Sequence, residues 1–136
     1  VVFTNGQPDK SQYRKFRIKT VRGSNDVLML REVLERRFQH SEWPFPQLVV
    51  IDGGKAQLHV ALKTIHDSRF MIHDSRPIVT ALAKREEILF TQDGRQISLQ
   101  RHDPALLHLF QRIRDESHRF AQAYHHKLRQ KYFIHT

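Results

Sequence analysis

Leu48-Val49-Val50-Ile51-Asp52-Gly53-Gly54-Lys55-Ala56-Gln57-Leu58 is the stretch whose reading decides the fold. A continuous apolar run of this kind is what a central strand covered on both faces requires. The run stops at Asp52, two glycines turn the chain, and Leu58, Leu62 and Ile65 then recur at helical spacing. This predicts strand, tight turn, helix. Downstream, residues 78–83 predict a further apolar strand, and 87–90 with 96–99 a hairpin around Asp93-Gly94. Upstream, Leu28, Leu30, Val33, Leu34 and Phe38 predict a helix over about 26–38, with Ser24, Asn25 or Asp26 as its N-cap.

At the amino-terminal end, residues 1–3 and the alternating Tyr13, Arg14, Lys15, Phe16, Arg17, Ile18 and Lys19 predict two antiparallel strands around a polar turn containing Pro8. The last third predicts one long helix from Asp103 as N-cap to about Lys131, with Pro104 at the position where its missing donor does no harm. Leu106, Phe110, Ile113, Phe120, Tyr124 and Leu128 form its apolar stripe, expected to face the sheet, and Arg114, His118, His125 and Arg129 line the stripe's edge. Ile65-His66-Asp67-Ser68-Arg69 recurs at Ile72-His73-Asp74-Ser75-Arg76, a period too short for a solenoid that reads as an inserted loop. Crossover helices combined with hairpins indicate a mixed-sheet α/β domain flanked by helices.

The 136 residues, 39% of them hydrophobic, suffice for one packed core, so a single domain over 1–136 is expected. With no cysteine there is no disulfide framework, thiolate metal site or Cys nucleophile. No run approaches the roughly 20 apolar residues that span a bilayer, and the first residues lack a signal-peptide pattern, so a soluble, cytoplasmic protein is expected. Lys plus Arg outnumber Asp plus Glu by 23 to 14, leaving +9. The surplus sits at the ends, with nine basic against five acidic residues in 1–50 and seven against three in 101–136. Such a balance points first to a polyanion, a property shared by nucleases, ribosomal proteins and membrane-surface proteins.

Asp52 stands at the carboxyl end of the most apolar strand, where open α/β sheets place ligands and metal-binding carboxylates; it serves equally well as a cap or in an Asx turn. Asp26 at a helix start is first a cap, favoured there by the helix dipole. His118 has the chemistry of a general base or metal ligand, and also that of a solvated surface histidine. Lys84-Arg85-Glu86-Glu87 is a charged turn whose first two members suit phosphate, and the basic residues of 13–19 suit a phosphate backbone on one face. Dinucleotide, Walker, Ser-His-Asp and zincin spacings are absent from the sequence.

Taken together, VVFTNGQPDKSQYRKFRIK from Val1, LVVIDGGKAQL from Leu48, ALAKREE from Ala81 and QRIRDESHRFAQAYHHKLR from Gln111 resemble the C-terminal endonuclease domain of UvrC, the incision subunit of bacterial nucleotide excision repair. The resemblance implies an RNase H-like mixed sheet and a divalent-metal endonuclease, using Mg2+ or Mn2+, that cuts damaged double-stranded DNA on the 5′ side of a lesion. Carboxylates at strand ends suit hard cations that activate water and stabilise the leaving oxygen. By the same resemblance Asp52 and His118 match metal-centred catalytic residues and Asp26 a further essential acidic position. Arg14, Arg17, Lys19, Lys55, Lys84, Arg85, Arg114 and Arg129 are the expected DNA contacts. Asn25 departs from the family's paired aspartates and Ala56 from a usual glycine.

The family's first catalytic aspartate lies on a strand just ahead of the segment that starts here at Val1. The expectation is therefore a domain lacking its first strand and inactive alone, with the GIY-YIG nuclease, the UvrB-contacting segment and the helix-hairpin-helix module elsewhere in a longer chain. The implied partner is the UvrB-DNA pre-incision complex. A non-catalytic DNA-binding or assembly module of the same fold is the rival reading, and a basic ribosome-associated protein a third.

Overall fold

The computed structural model describes residues 1–23, 25–67, 77–83 and 87–134, with side chains in the last helix described as far as Tyr124. The chain divides into two compact units, Arg17–Arg101 and Val1–Phe16 with His102–Thr136.

In the first of these, helix α1 runs Asp26–Phe38. Asn25 is its N-cap, the side-chain oxygen accepting from the Leu28 N–H at 3.1 Å. That settles the choice left open by the sequence, where all three candidates are residue types that cap well. Strand β3 (Leu48–Asp52) follows, then helix α2 (Lys55–Ile65) and strand β4 (Ile78–Leu82), parallel to β3 with Asp52 beside Leu82. Strands β5 (Ile88–Thr91) and β6 (Gln96–Ser98) add antiparallel, giving a mixed sheet in the order β3-β4-β5-β6. Their hairpin turns at Gly94 (φ +88°), where the Gly94 N–H donates to the Thr91 carbonyl at 3.1 Å, as Asp93-Gly94 predicts.

One core joins helices and sheet. Leu34 and Phe38 of α1, Leu58, Ala61 and Ile65 of α2, Ile51 of β3 and Val79 and Ala81 of β4 form a single buried cluster. Every other residue of β4 is in it, as the two-residue period of a strand requires.

The apolar run 48–51 forms its strand as expected, but β3 is the edge of the four described strands, not a central one. Leu48 is 42% exposed, while Val79 and Ala81 of β4 are fully buried. A parallel partner lies on one side only.

The second correction concerns residues 13–19, which form no strand. Within Arg17–Arg101, side chains of α1 take the place of a strand partner. The buried Glu32 accepts from the Lys19 N–H at 2.8 Å and the Thr20 N–H at 2.6 Å, also receives the Thr20 hydroxyl, and Arg36 donates to the Arg17 carbonyl at 2.6 Å. Backbone groups satisfied this way have no need of a ladder. The Thr20 hydroxyl above all, with the two amides and Arg36, holds the Glu32 carboxyl down to about 2, against the effect of burial. The stability this lends is present above the ordinary value near 4.5 and lost as pH falls through about 2. Glu32→Gln is therefore expected to lower the melting temperature at neutral pH, the gap to the parent chain closing between pH 4.5 and 2. A gap independent of pH in thermal melts would contradict this.

At the end of α1 the single tryptophan, Trp43, stacks on His40 with ring centroids 3.8 Å apart and planes 10° from parallel. The Arg37 guanidinium lies 5.2 Å from the Trp43 ring centroid, and His40 Nδ1 pairs with Glu42 at 2.6 Å.

The other unit holds a small hairpin, β1 (Phe3–Thr4) and β2 (Gln7–Pro8), and helix α3 (Pro104–Ile134). The hairpin turns at Asn5-Gly6, both with positive φ, so the expected first strand returns at Gln7 rather than at Tyr13. A turn of 3-10 helix at Lys10–Gln12 follows. Asp103 caps α3, its carboxylate accepting from the Ala105 N–H at 2.9 Å, with Pro104 at the first helical position. On the predicted stripe Phe110 is buried, Ile113, Phe120 and Tyr124 are half-buried, Leu106 is 38% exposed, and Leu128 lies outside the described side chains.

Candidate functional site

Asp52 is the last residue of β3 and exposed. The ladder continues one step beyond it, the Gly53 N–H donating to the Leu82 carbonyl at 3.1 Å, and the chain then leaves the sheet. Gly53 has φ +155°, and a Cβ there would stand 2.8 Å from Cγ of Gln57. Gln57 cannot easily yield, because its amide oxygen accepts from the Gly54 N–H at 3.0 Å and so closes the start of α2. Gly53 thus lets the backbone turn tightly beside an exposed carboxylate. Gly53→Ala is expected to cost about 1–3 kcal/mol in denaturant unfolding; a variant as stable as the parent would show that the turn tolerates a Cβ.

Asp26 is the first residue of α1 and exposed, just inside the Asn25 cap, where the dipole favours an anion. Lys55 opens α2, its Nζ 5.9 Å from the Phe90 ring centroid. Asp52, Asp26, Lys55, Arg17 and Lys19 all belong to Arg17–Arg101. Arg17 and Lys19 are exposed side chains on the segment that Glu32 and Arg36 hold by its backbone.

His118, Arg114 and Arg14 belong to the other unit. His118 and Arg114 are half-buried on α3, Arg114 with Nε 3.6 Å from the Asp115 carboxylate. Arg14 donates to the carbonyls of Ser11 at 3.0 Å and Tyr13 at 2.9 Å. Lys84, Arg85, the side chain of Arg129, the Ser24 alternative for the cap and the second His-Asp-Ser-Arg copy lie outside the described residues. Among the described residues, no three His, Asp or Glu side chains are gathered as for a metal ion.

A charged cluster in this unit escaped the sequence reading. The Tyr13 hydroxyl donates to Glu116 at 3.1 Å, and Arg119 donates to both oxygens of the same carboxylate at 2.9 and 2.6 Å. The Arg119 hydrogen bonds first, and those of Tyr13, hold Glu116 down to about 2, while burial and then Glu116 push the Tyr13 phenol up to about 12. The Glu116/Arg119 spacing of three is visible on a helix; a tyrosine 103 residues earlier is not.

The family model of the UvrC RNAse H endonuclease domain matches residues 1–122. The chain belongs to that family. UvrABC system protein C of Dictyoglomus thermophilum is 42% identical over 133 residues, covering 96% of this chain and 22% of the relative. The Acidobacterium capsulatum protein of the same name is 44% identical over 135 residues, covering 96% and 20%, and that of Chlorobium phaeobacteroides 44% over 140, covering 100% and 21%. The chain thus spans about a fifth of the length of these relatives. The α/β, RNase H-like class expected from the sequence is borne out, and in this UvrC-type domain Asp52, Gly53 and Gly54 occupy the carboxyl edge of β3. Among the described residues no helix is long and apolar enough to cross a membrane.

Proposed function

We propose that the chain is the metal-dependent endonuclease domain of a UvrC-type incision protein, cutting damaged double-stranded DNA on the 5′ side of a lesion in nucleotide excision repair. The observation that carries this reading is an exposed aspartate at the carboxyl end of β3, running into a two-glycine turn, in a chain of this family. The carboxylate oxygens of Asp52 and Asp26 are the donor type that suits Mn2+ or Mg2+. Asp52 and His118 would hold the cation, and Asp26 would add a second carboxylate. When bound, the cation supplies water activation and stabilisation of the leaving oxygen.

The residues themselves bind and orient. Asp52 is fixed by the β3-β4 ladder on one side and the Gly53 turn on the other, so its carboxylate starts from a rigid base. Arg14, Arg17, Lys19, Lys55, Lys84, Arg85, Arg114 and Arg129 offer phosphate contacts that position the duplex without reading its sequence. The charge of +9 makes that binding salt-dependent. The partners in this reading are the UvrB-DNA pre-incision complex and the remaining parts of a longer UvrC-type chain, in the cytoplasm.

The test is nicking of a lesion-bearing duplex by the full-length protein that carries this domain, with Mn2+ or Mg2+ titrated in. A 5′ cut that appears with the cation and vanishes on chelation supports the reading. A 5′ cut indifferent to chelation overturns it.

A further inference from the structure

The unit formed by Val1–Phe16 and His102–Thr136 carries an open cleft of about 350 Å³ lined by Lys10, Tyr13, Lys15, Arg119, Phe120 and Ala123. That volume is at the small end of ligand clefts. Two kinds of group meet there. Lys10, Lys15 and Arg119 are exposed cations; of the nearby carboxylates, Glu116 is engaged by Arg119 and Tyr13, and Asp9 by Thr4, Ser11 and Gln12. Three positive charges against the two carboxylates, both already hydrogen-bonded, leave the rim net cationic.

The other kind is aromatic. Phe120 and Tyr13 meet edge to face, centroids 5.1 Å apart and planes at 69°. Lys15 Nζ lies 5.4 Å from the Phe120 centroid and 5.6 Å from that of Tyr124. Phe120 and Tyr124 are half-buried and the exposed Lys15 reaches both, so part of each ring is accessible to a charged or planar group from solvent.

The frame is stiff where it has to be. The Tyr13 hydroxyl is tied to Glu116, and Glu116 takes two of the five Arg119 donors, which fixes the guanidinium plane while its other donors stay outside that pair. Arg119 and Phe120 follow His118 by one and two residues, about 100° and 200° round the helix, so the cleft and His118 occupy different faces of α3.

We propose that this cleft is a single-strand clamp that takes one nucleotide of single-stranded DNA, its base stacked on Phe120 and its phosphodiester between Lys10, Lys15 and Arg119. Stacking on an aromatic face beside a cationic track is the general means of holding single strands without reading sequence. The choice of DNA rests on the reading of the chain as a repair endonuclease. A strand opened beside a lesion is the substrate such a clamp would hold.

The experiment is fluorescence anisotropy on the full chain with two labelled probes, an oligothymidylate and a duplex of equal length, across a salt series. Lys10→Gln with Lys15→Gln is expected to weaken oligothymidylate binding and make its log-log salt dependence shallower by about 1.4, two cations at about 0.7 each. Phe120→Leu is expected to weaken oligothymidylate about 5- to 150-fold, the value of one base stacked on an aromatic ring, and to leave the duplex within about twofold. If Phe120→Leu does not fold, the lysine pair decides alone, since both side chains are exposed and the loss must be larger for oligothymidylate than for duplex. Unchanged oligothymidylate affinity, or equal losses on both probes, overturns the clamp. Binding is read without divalent cation and incision is scored separately on the full-length protein, so the clamp and the endonuclease reading fail independently.

Discussion

Asp52→Ala in the full-length protein is expected to abolish the 5′ cut on a lesion-bearing duplex while sparing the 3′ one. Loss of a partner that only orients a metal ligand costs about 10- to 100-fold. Removal of a ligand itself should exceed that, so a drop of at least about 100-fold is the expected result. Asp52→Asn keeps the shape and removes the charge, and the loss should be the same. Because the side chain is exposed and ends its strand, neither variant should change the melting temperature appreciably, which separates a chemical from a folding defect. Full 5′ incision by Asp52→Ala would leave the domain as a non-catalytic DNA-binding module.

Ile65→Ala is expected to be the most damaging of these changes to the fold. Ile65 is 1% exposed and lies at the end of α2, in the cluster that joins α1, α2, β3 and β4. Truncating a buried isoleucine costs about 2–5 kcal/mol, through lost apolar burial and the cavity left behind. Domains of this size have total stabilities of about 5–15 kcal/mol, so the variant should sit close to unfolding at ambient temperature. Ile65→Val removes one methyl group and should cost about 0.5–1.5 kcal/mol. Equal stabilities for both variants in chemical denaturation would show that the cluster does not depend on close packing there.

What the sequence made legible is what local rules govern. The bounds of α1, the strand ending at Asp52, the turn at Gly53-Gly54, the Asp93-Gly94 hairpin and the cap at Asp103 each follow from residues adjacent in the chain. Two misreadings share a cause. Tyr13 to Lys19 has the alternation of a strand, but a strand needs a neighbour, and Glu32 and Arg36 satisfy the backbone of Arg17, Lys19 and Thr20 instead. The run 48–51 has the composition of a central strand and lies at an edge of the described sheet, because composition records how apolar the surroundings are and not how many strands flank it. The candidate site divides in the same way. Asp52 was legible from its place at the end of an apolar run, whereas the meeting of Tyr13 with Glu116 and Phe120 depends on chain folding over more than a hundred residues.

Aromatic placement gives the two units separate optical signatures. Trp43, stacked on His40 at the end of α1, is the only tryptophan and lies in Arg17–Arg101. The three tyrosines, Tyr13, Tyr124 and Tyr132, all lie in the other unit. Selective excitation of the indole therefore follows the sheet and its two helices, while the tyrosine part of the absorbance, separated from the overlapping indole band by its second derivative, follows the hairpin and α3. A single heating run read at both wavelengths measures directly whether the two halves of the chain melt as one cooperative body or in succession.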